Sequence, residues 1–467
     1  MPFIPVFLWT DILIYLLVAV VILAVFYIRT QPHLRTPWQF VFKRKRGAIS
    51  ILILLCYASI GLLDSVHFRY QLTNDSSTDN THYSTEVFTL LDLALTPMRE
   101  QEEKTYSSPF ATKSFVREMS YTENGQLNYI YPKLNYAGSH LITEQSKWAD
   151  IQSTVIEYTL FAFLSWLAIL LLVFLYLAST YGLRRKALFS VLIDNYPIKT
   201  IGFMTLLILV TVFNCLGLSF DYHILGTDKV GQDVLYQSLK SVRTGLVIGT
   251  LTTLVMLPFA LFMGIAAGYF KGWVDDVIQY IYTTLNSIPG VLLIAAAVLM
   301  LQVYMSNHPE NFTTIAERAD IRLLFLCIIL GLTSWTGLCR ILRGETLKLR
   351  EADYVLAART LGAGSLSILH RHILPNLMHI VIIAIVLDFS GLVLAEAVLS
   401  YIGVGVDPSM HSWGNMINSA RLEMARDPIV WWPLAAAFCS MFILVLAANL
   451  FADVVRDAFD PRVQTTQ

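Results

Sequence analysis

The sequence predicts an all-α polytopic membrane protein, and three observations carry that prediction. Of 467 residues, 55% are hydrophobic and only 14% charged, whereas a soluble domain carries about 25% charged residues to cover its surface; mean hydropathy is +0.58. Apolar stretches of the length that crosses a bilayer, about 20 residues, recur nine times. Lysine and arginine concentrate in alternate loops between those stretches, the asymmetry that sets membrane orientation. The same composition excludes a long disordered chain, a collagen and a disulfide scaffold. A net charge of −1 leaves no overall nucleic-acid footprint. The five cysteines (Cys56, Cys215, Cys327, Cys339, Cys439) sit in apolar stretches without CxxC or metal spacing.

The first span covers 8–28, the second 47–66 and the third 154–179. The first lacks a basic leader and a small-residue cleavage site, so it is read as a retained span and not a signal peptide. Five more follow at 200–220, 242–268, 277–305, 321–343 and 377–400, and the ninth lies at 430–452. Arg29, Arg35, Lys43, Arg44, Lys45 and Arg46 separate spans one and two; Arg184, Arg185, Lys186 and Lys199 separate three and four. Both loops are expected inside, which places the N-terminus outside and, by alternation, 344–376 and the C-terminal tail in the cytoplasm. Residues 67–153 form the one long polar stretch, expected outside, with strand-like pieces at Val87-Phe88 and Tyr129-Ile130-Tyr131. The chain thus divides into 1–66 (two spans and a basic loop), 67–153 (external segment), 154–199 (third span and linker) and 200–467 (a six-span core).

Within 344–376, Leu349, Ala352, Val355, Leu356 and Leu361 recur at helical spacing. Gly362 and Gly364 end that helix, and a second amphipathic turn runs through Leu366, Ile368 and Leu369 to Pro375. Such a helix–Gly–helix suits docking into a groove of a soluble partner; an interfacial linker touching membrane lipid is the plainer alternative. Ala357 and Ala358 permit close approach of a partner.

Other residues carry two readings each. Gly226-Thr227-Asp228 is either an Asx-type turn ahead of a helix starting near Asp233 or a loop at an external mouth. Asp388, deep in an apolar run, marks either an inter-helix contact or a translocation path. His370 and His372 are spaced i, i+2 and do not share a helix face, so they are read as solvated side chains. Asp275 and Asp276 are read as the cap and first turn of the sixth span. No GxxxxGK[ST] sequence occurs, so no ATP site is expected on this chain.

Tyr354-Val355-Leu356-Ala357-Ala358-Arg359-Thr360-Leu361-Gly362-Ala363, followed by Arg371-His372-Ile373-Leu374-Pro375-Asn376, resembles the EAA loop of binding-protein-dependent ABC importer permeases. It is most similar to the dipeptide/oligopeptide/nickel group. Leu225–Val234 resembles that family's GTDxxGRD segment, with Gln232 where Arg is usual, and Leu356 stands where the loop usually has Glu. The segments 268–276, 288–290, 396–405, 412–416 and 455–462 follow the family order, and the pattern is that of the second, C-type permease subunit. The resemblance covers 200–462. It implies a six-helix type I ABC importer permease core preceded by three extra transmembrane helices and an external segment.

The resemblance also implies the function: a subunit of an ATP-driven importer moving peptides or peptide-like solutes by alternating access, in the bacterial inner membrane. Tyr354, Ala357, Ala358, Arg359, Gly362, Ala363 and Pro375 would couple to the ATPase. Glu396 matches the family and would face a cavity on the translocation path; Asp388, where the family does not require an acid, is a path candidate only by its depth in the span. Gly226, Thr227 and Asp228 would form an external loop. The partners implied are a second homologous permease subunit, two ATPase subunits or domains and a periplasmic solute-binding protein, with ATP and Mg on the ATPases and no cofactor on this chain. The competing function is a membrane sensor or scaffold that binds a ligand through 67–153. A secondary transporter is disfavoured by the lack of an evident charge relay within the spans.

Overall fold

The computed structural model describes residues 3–71, 83–121, 127–141, 144–181, 196–312 and 314–459. The basic residues at 184–186 and the end of the family-like segment at 460–462 lie outside them. In the N-terminal half the helices are α1 (Trp9–Thr30), α2 (Pro32–Lys43), α3 (Lys45–Asp64), α4 (Leu90–Ala94), α5 (Thr96–Glu100) and α6 (Lys147–Tyr181). Then come α7 (Tyr196–Leu218), α8 (Val234–Phe270), α9 (Trp273–Ser287), α10 (Gly290–Asn307) and α11 (Ile315–Arg350). The chain ends with α12 (Asp353–Thr360), α13 (Ser365–Ile368), a π-helical turn at Leu369–Ile373, α14 (Leu374–Tyr401), α15 (Trp413–Glu423) and α16 (Trp432–Phe459). Among the described residues nine helices are long and apolar enough to cross a membrane. The fold is all-α in its membrane-spanning part, as the composition predicts.

One expected span is divided. The run 277–305 breaks at Pro289, which has no N–H to continue a helix and drives the preceding residue out of the α region. Ile288 is accordingly extended, at φ −89° and ψ 128°. The amphipathic α9 ends there, and α10 alone is long and apolar enough to span. Asp275 and Asp276 fall in the first turn of α9 and not of the span; its N-cap is Gly272. Asp275 receives two hydrogen bonds from Arg343 on α11, at 2.6 and 2.7 Å, which hold its carboxyl below the usual carboxylate range.

Helices in a bilayer associate by close packing, since lipid is as apolar as they are. The α8–α11 pair is the most extensive contact in the fold. Gly264 and Gly268 of α8 form a small-xxx-small stripe against Cys339 and Thr346 of α11, where a Cβ at either position would collide. In the added spans, α3 packs against α16, α8 and α7, and α6 runs along α7. Arg44 at the start of α3 pairs with Asp457 of α16 at 2.6 Å.

The short strands all belong to the polar segment and its N-terminal neighbour. β1 (Phe3–Val6), β2 (His67–Tyr70) and β3 (Phe88–Thr89) form an antiparallel sheet with Val6 opposite His67. β4 (Glu118–Tyr121) pairs with β5 (Leu127–Ile130). Sheet and hairpin form an insert seated on the face where α7 ends and α8 begins, termed here the insert face. Phe110 N–H donates to His223 O at 3.0 Å, Gly138 N–H to Asp221 O at 2.8 Å and Glu103 N–H to Gly231 O at 3.0 Å. The opposite end, carrying α12 and α13, is the loop face.

Candidate functional site

On the loop face, α12 lies between α11 and the helix that becomes α14. Its buried side is small: Val355, together with Ile368 and Ile373 beyond the turn, inserts among Met256, Tyr282, Trp335 and Leu342. Its end is a Schellman motif. Ala363 N–H donates to Ala358 O and Gly362 N–H to Arg359 O, both at 3.1 Å, and Gly362 adopts φ +83°. Only a residue without a Cβ enters that conformation cheaply, so Gly362 sets the angle at which the chain leaves α12.

The other side of α12 is open. Tyr354, Leu356, Ala357 and Arg359 are exposed, while Ala358 and Ala363 pack partly against the core. At the tip Leu361 is 87% exposed and Leu366 81%. These two bare leucines flank a rigid turn and leave apolar surface open at its tip. The register is fixed from the next helix: Asn376 Nδ2 donates to the Tyr354 hydroxyl at 3.1 Å and to His372 O at 2.6 Å. Pro375 lies exposed in the first turn of α14, after the π-helical turn. His370 is exposed and His372 half-buried, and no metal-holding cluster of three or more His, Cys, Asp or Glu occurs among the described residues.

At the insert face, Gly226-Thr227-Asp228 is a turn covered by protein. Thr227 is fully buried; its hydroxyl donates to Thr105 O at 2.8 Å and accepts from Ser107 N–H at 2.6 Å. Gly226 sits at φ +72°, where a Cβ would run into the Ser107 carbonyl. Asp228 Oδ1 accepts from Val230 and Gln232 N–H, at 2.9 and 3.0 Å, closing an Asx turn. Asp233 then caps α8, accepting from Leu235 and Tyr236 N–H. The expectation of an external loop open to a partner is corrected for Gly226 and Thr227, because insert residues 105–108 lie over them.

The two acids of α14 differ. Glu396 does not face a cavity: it is buried and accepts from the Ser400 hydroxyl at 2.7 Å. Asp388 is half-buried and forms no hydrogen bond or ion pair among the described residues, so no inter-helix contact among them satisfies it.

Two buried ion clusters were not anticipated. Arg243 of α8 donates to Asp11 of α1 at 2.6 Å and to Thr10 at 2.9 Å, with His67 Nδ1 2.7 Å from the second Asp11 oxygen. Asp320 of α11 accepts from the Thr10 N–H at 3.2 Å and from its hydroxyl. Beside it, Lys240 reaches Asp64 of α3 at 2.6 Å and Asp92 of α4 at 2.9 Å. Tyr236 donates to Asp92 at 2.7 Å. Burial raises the Asp92 carboxyl, but the Lys240 charge and the hydrogen bonds from Tyr236 and Thr89 outweigh it and hold it below the usual range. The available signal was positional: Asp11, Asp64, Lys240, Arg243 and Asp320 all fall near the insert-face ends of spans.

The family described as the inner membrane component of binding-protein-dependent transport systems matches residues 260–465. The glutathione transport system permease protein GsiD of Pectobacterium atrosepticum is 33% identical over 245 residues, 52% of this chain and 74% of that protein. The chain belongs to this permease family. The dipeptide transport system permease protein DppC of Lactococcus lactis is 31% identical over 242 residues, 52% of this chain and 64% of that protein. The oligopeptide transport system permease protein OppC of Mycobacterium tuberculosis is 30% identical over 239 residues, 51% of this chain and 76% of that protein. The protein is a multi-pass permease subunit of an ABC importer of the peptide group, a class that works with further permease, ATPase and binding-protein components. The family match includes the whole loop-face motif and begins within α8, so the insert and the added spans lie before it.

Proposed function

We propose that this permease is the C-type member of a pair of homologous permease subunits that imports peptides or peptide-like solutes across the bacterial inner membrane. The N-terminus and insert face the periplasm, and the C-terminus and loop face the cytoplasm. Two ATPase subunits or domains bind ATP and Mg and hydrolyse the ATP; this chain contributes no nucleotide site. Their closure pushes on α12, and the rigid turn at Gly362 passes the movement to α14, rocking the spans between inward- and outward-open states. Solute arrives on a periplasmic binding protein. Asp388, without a partner among the described residues, faces the path shared with the second permease subunit.

The observation that carries this reading is the loop-face patch, with Leu361 and Leu366 bare on a turn anchored by Val355, Ile368 and Ile373. Leu356, in place of the family's usual Glu, makes the contact more apolar. The experiment is co-purification of the tagged complex with ATP-dependent tripeptide uptake into proteoliposomes, for wild type, Leu361→Asp and Gly362→Asp. Both variants are expected to lose the ATPase and the uptake while the chain stays in the membrane. An ATPase that never co-purifies, or uptake indifferent to both substitutions, refutes the reading.

A further inference from the structure

A cavity of about 770 Å³ opens at the insert face between the added segments and the permease core. That is a ligand-sized volume. One wall comes from β2, α4 and α5, and the other from the first turns of α8 and α11 and the loop before α15. The permease core by itself has half of this cavity.

The charges in its wall separate into two kinds. Lys240 and Arg243 are already paired with buried acids, as described above, and Arg99 with Glu86 at 3.0 Å; these pairs hold the wall in place. Arg69 is different: it lines the cavity and has no ion pair among the described residues, and its Nε is buried without a hydrogen-bond partner among them. A buried donor left unpaired is costly, and a guanidinium is the group best shaped to take a carboxylate. Glu102, also on the wall, is exposed and has one side-chain contact, from Gln232 Nε2 at 3.2 Å. His411 adds no charge, because burial and the neighbouring Lys240 push its imidazole down to about 4. Met98, Ile315 and Met410 supply apolar surface in the same wall.

We propose that this cavity is a binding site for short peptides with free termini, Arg69 taking the terminal carboxylate and Glu102 the terminal ammonium. The choice of peptide among zwitterionic solutes rests on the function proposed above; the two-charge recognition rests on the cavity alone. The site would hold solute at the insert face of this single chain, apart from the path between two permease subunits.

The test is isothermal titration of the purified full-length chain in nanodiscs, without ATPase or binding protein, using trialanine as the probe. Saturable binding is expected, weakened about tenfold or more when the probe is N-acetylated or C-amidated. Arg69→Gln should weaken trialanine by a similar factor but leave the C-amidated probe unaffected. Glu102→Gln, at an exposed position that does not threaten folding, should do the same for the free amine. No saturable binding by the wild type, equal binding of blocked and free probes, or wild-type binding by Glu102→Gln overturns the proposal. Loss of ATPase co-purification with binding intact would sink the importer reading alone; absent binding with intact uptake would sink the cavity alone.

Discussion

Replacing Lys240 with methionine tests how the added segments are joined to the permease. Lys240 Nζ lies 2.6 Å from Asp64 and 2.9 Å from Asp92, and the three side chains are 12%, 5% and 6% exposed. Methionine fills most of the stem's volume but leaves two carboxylates facing each other without a counter-charge. Breaking a buried pair by removing one partner costs about 3–5 kcal/mol, mostly for the stranded charge. In the wild type the Asp92 pKa is depressed, so its contribution is present above the unfolded value of about 3.9. It is lost only as pH falls through the lower folded value. In Lys240→Met the ammonium no longer offsets the burial that raises the Asp92 carboxyl, so acidification toward pH 5 should protonate Asp92 and shrink the deficit. Equilibrium unfolding in mixed SDS micelles at pH 7 and pH 5 measures this. The triple variant with Asp64→Asn and Asp92→Asn should recover most of the loss at pH 7, by the logic of a mutant cycle. A Lys240→Met deficit below about 1 kcal/mol, or one that does not shrink on acidification, would refute the reasoning.

Gly226→Ala should loosen the insert by about 1–3 kcal/mol, since the φ +72° turn is strained for alanine and the Ser107 carbonyl blocks the new methyl; limited proteolysis of the insert reads it. His411 is depressed to about 4, so its neutral form contributes stability that is full above about pH 6.5 and is lost as pH falls from there to about 4. His411→Asn should flatten the acid-side loss in a melting series from pH 7 to pH 4. Glu396→Gln keeps an acceptor for the Ser400 hydroxyl and should assemble normally, whereas Glu396→Leu strands that buried hydroxyl at about 1–3 kcal/mol, measured as recovery of the monodisperse complex. Asp388→Asn should slow peptide uptake without affecting assembly; unchanged uptake removes Asp388 from the path.

The membrane-spanning architecture was legible because each span announces itself locally. The sixth was misplaced because α9 carries enough apolar residues to mimic the start of a span, and only Pro289 marks the division. The loop-face turn was legible for the same local reason, since Gly362 stands where a helix of that period has to end. Long-range pairing was not. Phe3–Val6 carries no local signal of a partner, yet it forms an edge of the insert's sheet through partners at His67–Tyr70. Asp11 and Arg243 sit 232 positions apart; each was recognisable as an acid or base near a span end, but nothing local says which one it meets. Thr227 falls in a segment that reads equally as a turn or an external loop, and its burial depends on an insert whose fold the pattern of residues 67–153 barely hints at.

The two ion clusters also bear on the order in which the chain is made. Asp11, Asp64 and Asp92 are synthesised before Lys240 and Arg243, so both bases of α8 emerge after the acids they neutralise. A span carrying a lone arginine enters a bilayer reluctantly, and here its counter-ion precedes it on a span already made. Asp320 comes later, but the Thr10 backbone and hydroxyl that receive it were laid down 310 residues earlier. The added helices thus precede the permease core in time as well as in sequence, and they carry the charges onto which its insert-face end is assembled.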